Sequence, residues 1–159
     1  MDNRKEIIAE LKKFFKVEEL ICPEVATRDH EMAWRYLQTP FLADLLVIRR
    51  DILKVGMTCN TYHIGGDRKD CGLRSNLCEQ IARKNAENRL YISAHYLGCA
   101  GDFVFSAKSG MTAEKARNLI NDHQDLLPYP LRMEKDKTWL HFDTYENERD
   151  PRKVVLFVG

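Results

Sequence analysis

One short segment of the chain carries a histidine and an aspartate seven residues apart, both of which are common metal ligands. The segment reads Ser93-Ala94-His95-Tyr96-Leu97-Gly98-Cys99-Ala100-Gly101-Asp102. An imidazole and a carboxylate are both metal donors at neutral pH. Gly98 and Gly101 allow the chain to turn tightly between the two donors. Such a pair is commonly structural when it stands alone, so a metal site requires a third ligand.

A candidate third ligand lies in a predicted strand over residues 138–145. The period of two along a strand places Trp139, His141 and Asp143 on one face. Two histidines and one carboxylate on neighbouring strands form a three-ligand set with a fourth position open to water, as catalytic zinc requires. Zinc in such a site lowers the pKa of its water to about 7 and polarises a carbonyl, which makes amide hydrolysis feasible.

The remaining histidines offer weaker candidates. His30 and His123 lie in polar contexts and are predicted to be ordinary surface residues. His63 precedes Gly65-Gly66 and could line a cleft, although a structural role is the simpler interpretation. His95, Asp102 and His141 are the stronger candidates, although each histidine taken alone is more often a buried structural residue than a ligand.

Hydrophobic periodicity and turn signals predict the elements that must position these residues. Helices are predicted over residues 4–16, 31–37, 39–54, 77–87 and 112–123, and strands over residues 57–64, 90–93, 100–106, 131–134, 138–145 and 153–158. Thr39 and Thr112 are the expected helix starts, the former with Pro40 as the first helical residue, and Asp150-Pro151 is an expected turn. The segment 77–87 could instead be a long loop bordering a cleft. Helices followed by a meander predict an α+β fold, with an antiparallel sheet on which helices pack.

Composition limits the class of protein. A chain of 159 residues is most simply one domain, and its 25 basic and 24 acidic residues argue against a nucleic-acid surface or a polybasic membrane patch. It has no apolar run that suits membrane insertion and no signal-peptide pattern, so a cytoplasmic product is expected. The five cysteines are an odd number without a Cys-x-x-Cys pair, which predicts reduced and mostly buried thiols.

The pattern Ser-x-His-x-x-Gly-x-Ala-x-Asp over residues 93–102 resembles the signature of a zinc peptidase family. The family is peptidase family M15, which contains D-alanyl-D-alanine carboxypeptidases and phage endolysins and shares its fold with the Hedgehog signalling domain. All five specified positions match, and Trp139-x-His141 resembles the second histidine signature of the family. Gly65-Gly66, followed by Gly72-Leu73-Arg74, resembles the segment that carries its substrate-binding arginine. The resemblance covers roughly residues 57–145.

The resemblance implies a fold, a cofactor and roles for individual residues. It implies a Hedgehog/DD-peptidase-like fold in which His95, Asp102 and His141 ligate Zn²⁺. Arg74 would hold a substrate carboxylate, and Ser93 would contact the substrate or support a ligand. Without the family, Arg74 would be interpreted as part of a surface salt bridge.

The general base departs from the plainest family pattern. Many members have a glutamate three residues before the second histidine, where this chain has Thr138. Glu134 lies seven residues before His141, and a hairpin across the turn Lys135-Asp136-Lys137 could return its carboxylate to the metal. Asp136 is the next candidate. We therefore expect Glu134 to be the catalytic residue.

The sequence thus favours a zinc metallopeptidase, acting as a carboxypeptidase or endopeptidase on cell-wall peptide or peptidoglycan. A non-catalytic zinc-containing module that binds peptidoglycan is a second hypothesis, which Thr138 permits. A third is an α+β domain with structural histidines. A cytoplasmic enzyme would reach the wall only after release through a permeabilised membrane, or would act on cytoplasmic precursors.

Overall fold

The computed structural model describes residues 4–145 and 153–159. In this part of the chain the α-helices are α1 (Arg4–Leu11), α2 (Pro23–Asp29), α3 (Thr39–Val47), α4 (Glu79–Ala86) and α5 (Ala113–Asp122). The strands are β1 (Ala100–Phe103), β2 (Leu131–Glu134), β3 (Leu140–Asp143) and β4 (Val154–Phe157). None of the helices in these two ranges is long and apolar enough to cross a membrane.

The strands form one mixed sheet in the order β1-β3-β2-β4. β3 pairs antiparallel with β1 and β2, but β2 and β4 are parallel. The prediction of an α+β protein with a sheet and packed helices is confirmed at this level, whereas the prediction of an antiparallel sheet is wrong. β1 and β2 occupy both edges of β3, so β4 can extend the sheet only at an outer edge. The strand β4 lies at the edge of β2 and runs parallel to it.

The two faces of the sheet differ in polarity. One face packs into the core through fully buried side chains, among them Leu140, Phe142 and Met133. The ring of Phe142 stacks on that of Phe103, with centroids 5.4 Å apart, and lies equally close to Phe41 of α3. Because side chains alternate along a strand, the opposite face carries the polar residues. Those residues are Asp102, Arg132, Glu134, His141 and Asp143.

The predicted helices are found, with shifted ends. α1 is shorter than predicted, and α3 continues into a π-helix over Ile48–Leu53. α3 begins at Thr39 with Gln38 as its N-cap, so the predicted cap was one residue late. Thr112 caps α5 as predicted, since its Oγ1 accepts a hydrogen bond from the amide of Lys115 at 3.2 Å. The segment predicted over 31–37 is a 3₁₀-helix over His30–Tyr36, and the helix before it, α2, was not predicted.

Two predicted strands are wrong. Residues 57–64 form only an isolated bridge, between Thr58 and Val104, and then a 3₁₀ turn over Tyr62–Ile64. The buried side chain of Asn60 donates to the carbonyl of Ile21 and accepts from the amide of Cys71, so the segment is joined to its neighbours by side-chain bonds. Residues 90–93 are not a strand either, and Leu90 is 89% exposed. The turn predicted at Asp150-Pro151 lies outside the described residues.

Asp44 of α3 makes the stability of the fold depend on pH. It is fully buried, its Oδ1 accepts from the amide of Tyr129 at 3.0 Å, and its Oδ2 has no hydrogen-bond partner among the described residues. Burial raises the pKa of Asp44 from 3.8 to about 7. Because the folded-state pKa is the higher one, the contribution of Asp44 to stability is present at acidic pH and is lost as the pH rises through about 7.

We expect Asp44→Asn to remove this dependence. A pKa difference of about 3 units corresponds to about 4 kcal/mol of unfolding free energy between pH 4 and pH 8. Urea denaturation across this range should show wild type losing roughly that much more stability than the variant. Asp122→Asn, at an exposed position on α5, should show the same dependence of unfolding free energy on pH as wild type. An unchanged profile for Asp44→Asn would contradict the prediction.

Candidate metal centre

The sheet register brings two predicted ligands face to face. Asp102 of β1 pairs directly with His141 of β3, and cross-strand partners project from the same face. His141 Nδ1 lies 2.7 Å from Asp102 Oδ1, and His95 Nε2 lies 3.4 Å from Asp102 Oδ2. The donor atoms of all three residues lie within 4.8 Å of one another. The structure therefore brings the predicted ligand set together, and we call these residues the candidate zinc centre.

A tight turn positions His95 beside the sheet. The carbonyl of Ser93 accepts from the amide of Leu97, and the Ser93 hydroxyl accepts from the amide of Tyr96 at 3.2 Å. The turn ends at Gly98, whose φ of +72° is unfavourable for other residues, and an added Cβ would lie 2.1 Å from the carbonyl oxygen of Tyr36. The glycine of the motif is therefore required by both conformation and space.

Two acceptors outside the ligand set orient the histidine rings. The carbonyl of Gly72 lies 2.9 Å from His95 Nδ1, and Asp143 Oδ2 lies 2.9 Å from His141 Nε2. A carbonyl can only accept, so Nδ1 of His95 carries a proton and Nε2 is left as the donor to a metal. Asp143 likewise accepts a hydrogen bond from Nε2 of His141, which leaves Nδ1 of that ring as the donor to a metal. Such acceptors are the usual partners of metal-binding histidines, so the donor set fits Zn²⁺.

The charged groups of the centre stabilise one another strongly. Burial would raise the pKa of Asp102, but the hydrogen bond from His141, together with the adjacent ring of His95, outweighs it and holds that pKa well below its ordinary value. Burial would likewise lower the pKa of His141, but its hydrogen bonds to Asp102 and Asp143 raise it to about 9. The metal-free centre therefore holds a proton on His141 at neutral pH, and a metal ion must displace it.

Arg132 of β2 completes the support of His141. Its guanidinium donates to both carboxylate oxygens of Asp143, at 2.9 and 3.1 Å. Burial would raise the pKa of Asp143, but hydrogen bonds from His141 and Arg132 lower it. Asp143 therefore stays ionised and remains an acceptor for His141.

All the predicted site residues line one cavity of about 580 Å³. These residues are Arg74, Ser93, His95, Asp102, Glu134 and His141. Trp139 and Tyr91 also line it, together with Arg132 and Asp143. The cavity thus combines a potential metal site with basic, acidic and aromatic side chains.

Glu134 lies at the end of β2, on the polar face of the sheet. The β2–β3 register pairs Arg132 with Asp143, and its extension by two residues places Glu134 opposite His141. Its carboxylate is 3.2 Å from Lys137 Nζ, and its side chain is only 14% exposed. Asp136 and Thr138 line a different groove, beside α5. Of the three positions considered for the base, Glu134 is the one that lines the cavity.

Arg74 is anchored beside the centre. Its Nε donates to the carbonyl of Asp70 at 2.7 Å and one terminal nitrogen donates to the hydroxyl of Tyr91 at 2.8 Å. The other terminal nitrogen lies 3.8 Å from Asp102 Oδ2. The guanidinium is therefore held in place at the wall of the cavity, and it is not the surface salt bridge that would be expected without the family. The Ser93 hydroxyl lies in the same wall, where it also caps the turn.

Several residues of the centre were not predicted. The strand period places Asp143 on the same face as His141 but gives it no role, and the available signal was the His141-x-Asp143 spacing. Arg132 and the carbonyl of Gly72 carry no such signal, because their contacts depend on the packing of distant segments. Among the other histidines, His30 and His123 are exposed as predicted, and His63 does not line the cavity.

Gly72 provides a direct test of how the centre is oriented. A Cβ at this position would lie 2.2 Å from the carbonyl oxygen of Leu20, so the substitution Gly72→Ala must displace the backbone that orients His95. We expect a loss of about 1–3 kcal/mol in stability and of roughly 10–100-fold in zinc affinity, measured by thermal denaturation and chelator competition. Gly56→Ala, with no atom within 4 Å of the added Cβ, should change neither. Wild-type zinc affinity in Gly72→Ala would contradict this role.

No protein-family model, curated protein or solved structure matches this chain.

Proposed function

We propose that this protein is a zinc-dependent metallopeptidase that hydrolyses bacterial cell-wall peptides, as a D-Ala-D-Ala carboxypeptidase or a peptidoglycan endopeptidase. The observation that carries the proposal is the convergence of His95, Asp102 and His141 in a cavity that also contains Glu134 and Arg74. The family resemblance supports the same reading, and with it a Hedgehog/DD-peptidase-like arrangement of the sheet and its helices.

The metal would be held by three donors that the structure already orients. These are His95 Nε2, a carboxylate oxygen of Asp102, and His141 Nδ1. Zinc bound there would supply Lewis acidity to the scissile carbonyl and to the nucleophilic water. Gly72 and Asp143 keep the two rings in the required tautomers, so little reorganisation is needed when the proton of His141 Nδ1 leaves.

Glu134 acts as the general base of the proposed reaction. Its carboxylate accepts a proton from the attacking water and returns it to the leaving amine, so no net proton is consumed in the two steps. Lys137 Nζ lies 3.2 Å from a carboxylate oxygen of Glu134 and limits the orientations of that carboxylate. The partly buried position of Glu134 protects it from bulk water.

Arg74 binds a carboxylate of the peptide. Its planar guanidinium is permanently charged and is held by Asp70 and Tyr91, which leaves one terminal nitrogen near the cavity. A carboxylate bound to this nitrogen would lie near the candidate zinc centre without directly occupying it. Ser93 offers a hydroxyl in the same wall for a further substrate contact.

A non-catalytic peptidoglycan-binding module is the second candidate. The observation in its favour is that Glu134 is paired with Lys137. Thr138 also stands where many members of the resembled family have the base, and it cannot accept a proton at neutral pH. Such a module would bind zinc and cell-wall peptide through the same residues without turnover.

The purified wild-type protein distinguishes these functions. Metal content is measured first, and then purified peptidoglycan and a D-Ala-D-Ala-terminated peptide are incubated with the protein, with and without a zinc chelator. The metallopeptidase releases new amino groups or D-alanine, and chelation abolishes the release. Zinc with binding but no release establishes the binding module. Absence of zinc at the candidate zinc centre rejects both.

A further inference from the structure

A second group of metal-ligating side chains lies outside the cavity just described. Cys22 and Glu24 come from the start of α2, and Cys78 immediately precedes α4. Their donor atoms all lie within 4.8 Å of one another, and Cys78 Sγ is 3.8 Å from Glu24 Oε2. The two cysteines are 0% and 1% exposed. We call these three residues the cysteine cluster.

Backbone contacts fix the two cysteines against each other. Ile21 and Leu73 form a parallel bridge, and the amide of Cys22 donates to the carbonyl of Leu73 at 2.9 Å. The chain then turns at Ser75, whose amide donates to Cys78 Sγ at 3.1 Å. The hydrogen bond with Cys22 and burial outweigh this amide and raise the pKa of Cys78, so a metal ion would have to displace the thiol proton. The cluster is therefore held by two segments that are far apart in the sequence.

Glu24 distinguishes the cluster from a pair of buried thiols. Its carboxylate faces Cys78 and forms no ion pair with a cation in residues 4–145 and 153–159. A carboxylate beside two thiols is unfavourable once the thiols ionise, because like charges repel. A divalent cation would reverse this repulsion and would use all three side chains as ligands.

We propose that Cys22, Glu24 and Cys78 form a second, structural zinc site, independent of the candidate zinc centre. Two sulfur ligands favour Zn²⁺ over Mg²⁺ or Ca²⁺, and two thiolates with a carboxylate suit a tetrahedral ion. Each thiol gives its proton to solvent as its sulfur coordinates. The fourth ligand is water or the hydroxyl of Ser75, which lies 3.8 Å from Cys78 Sγ.

This second site would support the first through the chain that lies between them. Zinc would join Cys22 to Cys78 and so clamp the bridge between Ile21 and Leu73. Leu73 is flanked by Gly72, which orients His95, and by Arg74 at the cavity wall. The expected role is therefore structural, and it holds whether or not the protein is a peptidase.

Cobalt substitution tests the proposal in reduced protein. Thiolate ligands give Co²⁺ intense near-ultraviolet charge-transfer absorption, whereas the nitrogen and oxygen ligands of the candidate zinc centre do not. We expect this absorption in wild type, its loss in Cys22→Ser/Cys78→Ser, and its retention in Cys99→Ser, a buried thiol outside the cluster. It should also persist in His141→Ala, which separates this proposal from the proposed peptidase function.

Zinc release from the wild-type protein tests the site without a variant that could misfold. A thiol-directed mercurial should release about one equivalent of zinc, measured with a chromogenic chelator, because it displaces the metal from sulfur ligands only. Absence of both thiolate absorption and zinc release in wild type would overturn the proposal. A disulfide between Cys22 and Cys78 in protein purified without reductant and with no bound zinc, detected by mass, would also overturn it.

Discussion

Replacing His141 with alanine should remove zinc from the candidate zinc centre and lower peptide hydrolysis by at least about a thousandfold, because Lewis-acid assistance contributes several kcal/mol. The variant retains Asp102 and His95 but loses the imidazole that lies between the carboxylates of Asp102 and Asp143. Two remaining donors hold zinc too weakly to survive purification. Metal analysis and the release of amino groups from peptidoglycan measure the two effects.

The matched control is His123→Ala. His123 is exposed at the end of α5, where its Nδ1 lies 3.0 Å from the carbonyl of Leu119, and it does not line the cavity. It should keep wild-type zinc and activity. Circular dichroism verifies that His141→Ala remains folded. A folded His141→Ala protein with wild-type hydrolysis would eliminate the assigned metal centre.

Glu134→Gln should lower hydrolysis by roughly 10²–10⁴-fold while zinc content and peptide binding stay near wild type, since a general base contributes about that factor. Glutamine keeps the shape of the side chain but cannot accept a proton at neutral pH. It also loses the ion pair with Lys137, in which the side chains of Lys137 and Glu134 are 32% and 14% exposed. Steady-state kinetics should therefore show a fall in kcat with little change in KM.

Asp136→Asn is the control for Glu134→Gln. Asp136 lies in the β2–β3 turn with φ of +63° and faces the groove beside α5. Asparagine adopts this conformation readily, so the variant should fold and hydrolyse peptide as wild type does. An equal loss of kcat in both variants would show that the effect comes from the turn and not from proton transfer at Glu134.

Together these two substitutions separate the two proposed functions. In the metallopeptidase, His141→Ala loses metal and activity, whereas Glu134→Gln loses activity alone. In the binding module neither wild type nor Glu134→Gln releases product, and His141→Ala loses zinc. The different responses of metal content and turnover identify which function operates.

Sequence patterns of short range determined much of the fold and of the candidate zinc centre. The strand Leu131–Glu134 and the cap of α5 by Thr112 agree with prediction, because both depend on a few consecutive residues. The seven-residue spacing from His95 to Asp102 and the strand period through His141 likewise pointed to the three residues that the structure brings together in the candidate zinc centre. Such signals are visible in the sequence because backbone geometry repeats every two or 3.6 residues.

Contacts between distant segments were decided only by the tertiary structure. No local pattern records that β4 pairs with β2 or that the two strands run parallel. Residues 57–64 have strand-like composition, yet Asn60 bonds to Ile21 and Cys71 in place of a ladder partner.

The chemical detail of the two sites has the same origin. The sequence by itself named His95 and His141, but the nitrogen that each presents follows from Gly72 and Asp143. The cysteine cluster was not predicted at all, because a bridge joins segments about 50 residues apart and the cysteine spacing matches no metal motif. Ligand types are a property of the sequence, whereas the packing of the chain decides which atoms meet.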